Sequence, residues 1–307
     1  MEEQQTPEQL GPAPPERRSV FRLIPPIPFA ILSLCVVFFL YQIVGGLITL
    51  LLFKAEITEQ NVQLVRWSTL IGQIVFILLP TIVLAKLRHG DSPGFFRVKV
   101  PDHKEILLST LAVFALQQLL QGYMMFQDSI PLPPDVQKFI DQFKHLFEET
   151  YRILVSARSP LEFLFVVVVV ALTPAICEEL LFRGLIQRSF EAVTTGMRSA
   201  LVTGLIFAMY HLNPFSFVPL AALGVYFGFL VHRSGNLTVA VSAHFFNNFV
   251  ACAAAYMQLG DDFVVVAPHG SPTVTELFIN NVVFVLVFLV ATYYFVRATE
   301  PTVDTKG

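Results

Sequence analysis

Glu178, Glu179, Arg183, His211, His244 and Asn248 are residues whose types and spacing could do chemistry. All six sit in otherwise apolar stretches of sequence. An ionisable side chain inside a bilayer is costly, so it tends to mark function or a buried pair. Glu179 and Arg183 are four apart with the glutamate first, the better orientation for an ion pair along a helix. Glu178 points about 100° away from that stripe and is free to face a cavity. His244 and Asn248 are also four apart and share a face, with Asn247 three away and less well aligned. A carboxylate and a nearby imidazole can share a proton and deprotonate a water for attack on a carbonyl. A second histidine and an asparagine can donate to the oxyanion that forms. The result is peptide hydrolysis without a serine or cysteine nucleophile. Glu and His are also ordinary zinc ligands, so a divalent metal is an open alternative to a metal-free site. The HExxH pattern of common zinc proteases and the GxSxG of common serine hydrolases are both absent.

Long apolar helices must position these groups. Stretches without Asp, Glu, Lys or Arg run 23–53, 67–85, 106–127, 163–177, 199–232, 234–260 and 277–296. A spanning helix needs about 20 mostly apolar residues. The stretch 199–232 is too long for one span and carries Asn213-Pro214 and Pro219, so it divides into helices near 199–212 and 217–231. The stretch 163–177 continues as helix through the two glutamates to about Phe190. The expected fold is an all-α polytopic membrane protein of about eight transmembrane helices around a buried polar active-site cavity. Residues 1–22 are expected to form a mobile cytoplasmic tail, 23–297 the transmembrane domain and 298–307 a second tail. The segment 135–158 reads as a surface helix on the outer side.

Loop charge sets the orientation. With the N-terminus inside, 13 of the 20 basic residues fall on the inner side and 6, among them Arg66, on the outer side. Both termini are therefore expected in the cytoplasm. At about 1.5 Å of rise per residue, Glu178 and His211 lie some 18 Å from the inner surface, His244 about 10 Å and Asn248 about 16 Å. Polar groups from three helices thus share one layer. That layer is expected nearer the cytoplasmic half, with a site facing the cytoplasm.

Composition narrows the function classes. Hydrophobic residues make up 54 % and charged residues 14 %, against about 25 % charged in a soluble domain. Mean hydropathy is +0.64. A net charge of −3 excludes a nucleic-acid binder driven by a basic surface. Cys35, Cys177 and Cys252 make no CxxC and no disulfide framework. Cys177, beside Glu178, reads as a small buried thiol. Phe207 and Tyr210 read as cavity walls and Asn247 as packing, while His89, His103, His232 and His269 are expected in solvent.

The motifs Glu178-Glu179-x-x-x-Arg183, Phe207-x-x-x-His211 and His244-x-x-x-Asn248, in that order, resemble those of the CAAX prenyl protease and bacteriocin-processing (CPBP, or Abi) family. The lead-in Arg233-Ser-Gly-Asn-Leu is also similar to that family's. The resemblance covers about 160–257, roughly a third of the chain. It implies an intramembrane glutamate-type endopeptidase, like the type II CAAX prenyl endopeptidase, acting on a membrane-associated or prenylated protein or peptide within the lipid bilayer. By that resemblance Glu178 and His211 activate water, and His244 and Asn248 form the oxyanion site. Glu179 and Arg183 support the structure or orient the substrate. No cofactor is implied, and zinc or another divalent metal stays open. Two other readings fit the same spans: a non-catalytic scaffold or immunity protein of this fold, and a transporter with the charged groups in its pathway. Internal repeats would favour the transporter, and none is read in the sequence.

Overall fold

A computed structural model describes residues 20–54, 57–90, 92, 94–259 and 274–299. Among these residues the regular structure is entirely helical. Helices α1 (Pro26–Phe53), α2 (Val62–His89), α3 (His103–Asp128), α5 (Pro160–Glu191), α7 (Phe217–Ser234) and α8 (Leu237–Tyr256) are long and apolar enough to cross a membrane. So is the Phe278–Ala298 part of α9, which runs Val274–Ala298. Among the described residues the shorter apolar α6, Gly196–Tyr210, falls below that length, so seven helices reach it where about eight spans were expected. The chain is an integral, multi-pass, all-α membrane protein, and the expected division of 199–232 into two helices is the one observed. Helix α4 (Pro134–Val155) lies outside this set, where a surface helix was expected.

Local sequence accounts for the helix ends. Asp102 caps α3 in a reciprocal box with Glu105. Ser159 caps α5 by accepting from the Glu162 amide at 3.2 Å, and Pro160 takes the first helical position. The lead-in to α8 is a turn in which Gly235 holds φ +60° at the end of α7 and Asn236 caps α8 by accepting from the Thr238 amide at 3.0 Å. Helix α5 is not uniform: π-helical segments, Val167–Leu172 and Leu180–Gln187, flank the α-helical turn Thr173–Glu179. π-helical turns recur at functional sites.

Helices α6 and α7 pack face to face through glycines. A Cβ on Gly204 would lie 2.4 Å from the Val225 nitrogen, and one on Gly224 would lie 2.9 Å from the Gly204 carbonyl oxygen. Small residues permit this approach where apolar lipid supplies no hydrophobic drive.

Arg66 departs from the sequence reading. It is not a loop cation but a fully buried residue of α2. Its guanidinium donates to the carbonyls of Leu154 (3.0 Å) and Ser156 and to Glu162 Oε1 (2.7 Å), joining the end of α4 to the start of α5. Within the segment expected as the first tail, Val20–Leu23 form a 3-10 turn whose Phe21 carbonyl accepts from Arg88 at 3.1 Å. Residues 1–19 and 300–307, and with them most of both expected tails, lie outside the described residues. So do residues 260–273, His269 among them.

The order of passes sets Ser92, between α2 and α3, at the end where α1 begins, and Ser129, between α3 and α4, at the other end. Both are exposed. Single Ser92→Cys and Ser129→Cys variants in sealed vesicles are therefore expected to react with a membrane-impermeant maleimide from opposite sides. Labelling of both from one side would contradict the pass order.

Candidate active site

The site is built around a buried carboxylate. Glu179 has no solvent exposure and its Oε1 accepts from Arg183 Nη1 at 2.8 Å, the expected pair one turn along α5. The same oxygen meets His244 Nδ1, on α8, at 2.9 Å. Arg183 Nη2 continues to the Gly224 carbonyl on α7 at 2.7 Å, and its guanidinium lies 4.8 Å from the Phe207 ring centroid and 5.4 Å from that of Phe227. Phe227 in turn stacks on His244, 5.0 Å between centroids at 15°. Charge, hydrogen bonds and stacking therefore hold the His244 ring in one orientation. One turn further along α5, Gln187 repeats the pattern by donating to the Gly228 carbonyl at 3.0 Å.

Glu178 faces a cavity of about 360 Å³. Glu178, His211, His244 and Asn248 all line it, so the structure gathers these four residues in one place. His211 Nδ1 meets the Phe207 carbonyl at 2.7 Å. A carbonyl only accepts, so Nδ1 carries the proton there and the neutral ring keeps a lone pair on Nε2. Nε2 stands 3.8 Å from Glu178 Oε2. That gap is too long for a hydrogen bond, but one water can reach both atoms at about 2.8 Å. Glu178 Oε2 is itself buried with no hydrogen-bond partner in the described protein.

The oxyanion candidates are more constrained than the sequence reading held. With Nδ1 on Glu179, His244 offers only Nε2 to the cavity. Asn248 Nδ2 donates to the Val170 carbonyl at 3.3 Å, and its Oδ1 accepts from Asn247 at 3.1 Å, which leaves one amide hydrogen uncommitted. Asn247, expected to be packing, also lines the cavity, with Oδ1 buried and unpartnered among the described residues. Tyr210 does not line it and instead packs edge-on against Phe38 and Phe182. Cys177 is buried, as expected. Two further polar lining residues, Thr69 and Gln73 on α2, were missed. Their signal was a four-residue spacing inside an apolar span.

The cavity does not face the expected end. Its lining includes Thr69 near the start of α2 and Tyr151 and Leu154 of α4, all toward the end opposite the one where α1 begins. The space extends from the polar layer toward α4. Residue counts from the helix ends carry no information about which end α4 covers, and the four residues do line one cavity.

Among the described residues no group of three His, Cys, Asp or Glu side chains is arranged to hold a metal. Glu178 and His211 approach each other within the cavity, and His244, held by Glu179 through Nδ1, keeps Nε2 toward the same space.

Removing the cation from the buried cluster tests its energetics. Arg183→Met leaves Glu179 without its strongest partner and is expected to lower stability by about 3–5 kcal/mol, read from unfolding in detergent. The Arg183→Met/Glu179→Gln double variant removes the charge as well and is expected to lose clearly less than the two single losses combined.

Comparison with curated proteins and with solved structures returned no match. Residues 160–250, which contain all six polar residues singled out above, match the family model described as Type II CAAX prenyl endopeptidase Rce1-like, and it is this family that the central part of the chain resembles.

Proposed function

We propose that the protein is an intramembrane endopeptidase that hydrolyses a peptide bond of a membrane-associated or lipidated substrate, using a water held by Glu178 and His211. The observation that carries this reading is the 3.8 Å approach of Glu178 Oε2 to His211 Nε2 on the wall of one cavity. Both atoms are acceptors when Glu178 is ionised, so a water between them directs one hydrogen to each and turns a lone pair outward. In the reaction that lone pair attacks the carbonyl carbon of the scissile bond, and Glu178 takes the proton released. The carbonyl oxygen becomes an oxyanion, and His244 Nε2–H and the free amide hydrogen of Asn248 donate to it. His244 can donate from Nε2 while Nδ1–H remains on Glu179 only when the ring carries both protons, which makes Glu179 and Arg183 positioning residues. Collapse of the intermediate breaks the C–N bond, and the proton on Glu178 passes to the leaving amine. Water is consumed, an acid and an amine are formed, and Glu178 is regenerated.

The family match over 160–250 supports a CAAX-type substrate, a prenylated cysteine followed by a short C-terminal peptide. The test is cleavage of prenylated and unprenylated forms of such a peptide by purified protein in liposomes. Glu178→Gln and His211→Ala are each expected to lower turnover about a thousandfold, and His244→Ala about a hundredfold or more, with unfolding curves close to wild type for Glu178→Gln. Full activity in Glu178→Gln or His211→Ala would sink the mechanism. A cellular effect that survives Glu178→Gln would instead indicate a scaffold of the same fold.

A further inference from the structure

A second cavity, of about 300 Å³, lies at the end of the bundle where α1 begins and is separate from the site above. It forms where the last turn of α2, the first of α1 and the last of α5 meet Ser92, Gly94 and Phe95. Arg88, His89 and Arg188 line it, with the hydroxyl-bearing Ser92 and Ser189. His89 is therefore not the solvated residue expected; it is half-buried and stacks on Phe95 at 4.1 Å between centroids.

Among the described residues the charge lining this cavity is one-sided. No Asp or Glu among the described residues lines it. The acid closest in sequence to Arg188 is Glu191, and it is already engaged, by Arg97 in an ion pair and by Gln187 at 3.0 Å. Arg88 bonds main-chain carbonyls, Phe21 at 3.1 Å and Ile24 at 2.5 Å, through Nη1. Arg188 does the same with Phe95, also through Nη1. These contacts hold the guanidinium groups in place without neutralising them. A guanidinium has five donors, and among the described residues Nε and Nη2 of both arginines make no hydrogen bond.

The surroundings indicate what such a cavity takes. Leu23, Ile27 and Leu87, next to Arg22, Pro26 and Arg88 in sequence, are exposed apolar side chains at the edge of a membrane bundle. The cavity therefore combines fixed guanidinium donors, hydroxyls and an apolar rim at the end of the spans, where lipid headgroups lie. Basic pockets of this kind between spans suit phosphate-bearing headgroups, and guanidinium donors match phosphate oxygens.

We infer that this cavity is a phosphate-binding site occupied by the headgroup of one anionic phospholipid, independent of the peptidase reading. Native mass spectrometry of the full chain, delipidated and then returned to phosphatidylglycerol or phosphatidylcholine, tests this. Wild type is expected to retain one phosphatidylglycerol and to discriminate against phosphatidylcholine. Arg88→Gln and Arg188→Gln should each weaken retention roughly fivefold. Both arginines also hold main-chain carbonyls, so Ser92→Glu is the cleaner variant: it adds a carboxylate from an exposed lining position and should abolish the preference while the protein stays folded. Lys104→Gln, a cation at the same end outside the cavity, should leave retention unchanged. Equal retention of phosphatidylcholine, an equal loss in Lys104→Gln, or undiminished retention in Ser92→Glu would overturn the proposal. Inorganic phosphate binding alone as tightly as the lipid would overturn the assignment to a headgroup.

Discussion

The buried charge of Glu179 governs the centre of this bundle. A carboxylate with no exposure cannot stay ionised in an apolar interior without compensation. Arg183 and His244 supply it, from one turn along the same helix and from α8. Arg183 then needs an acceptor for its remaining donors and takes the Gly224 carbonyl of α7. One unavoidable charge thereby fixes three helices relative to one another. It also fixes Glu178, because adjacent residues on a helix point about 100° apart: with Glu179 anchored toward α7 and α8, Glu178 is turned into the cavity. The Glu-Glu pair is thus a division of labour, one residue held so that the other is aimed.

Helix α5 makes that division possible by departing from a regular helix. Its Thr173–Glu179 turn lies between two π-helical segments, and the Thr173 hydroxyl reaches back five residues to the Val168 carbonyl at 2.7 Å. Wider turns displace the phase of every residue beyond them, so the faces of α5 do not follow a 3.6-residue period across the site. The Glu179–Arg183 pair nonetheless forms at 2.8 Å, because one turn is short enough for two long side chains to absorb the displacement.

This difference in range explains what the sequence disclosed. Features within one or two turns were legible: the pairing of Glu179 with Arg183, the break at Asn213-Pro214, and the turn of Glu178 away from that pair toward a cavity. So was the meeting of Glu178, His211, His244 and Asn248 in one cavity, since counting residues from the helix ends set them at similar depths. What joins distant helices was not legible. Nothing in the spacing relates His244 to Glu179, 65 residues away, or makes Arg66 anything but a loop cation. Arg66 begins a span rather than ending a loop because three carbonyls and Glu162, all supplied by the α4–α5 corner, meet its guanidinium there. The direction of the cavity was lost for the same reason: it is set by where α4 packs.

The short α6 connects these facts. Its 15 residues rise about 22 Å, well short of a bilayer core of about 30 Å. The helix therefore ends at depth, and the non-helical backbone that follows must be satisfied by protein. Asn213 Oδ1 accepts from the amides of Phe215 and Ser216 at 3.1 and 3.3 Å, and Gln127 of α3 donates to the Phe215 carbonyl at 3.2 Å. At the helix end itself, His211 takes the Phe207 carbonyl. That bond both satisfies the terminus and sets the ring so that Nε2 meets Glu178. A span of full length would carry His211 past the layer of Glu178 and fill the space beneath α4. The early stop leaves a cavity instead, and the Arg66 corner holds α4 as its wall, with Tyr151 and Leu154 lining it.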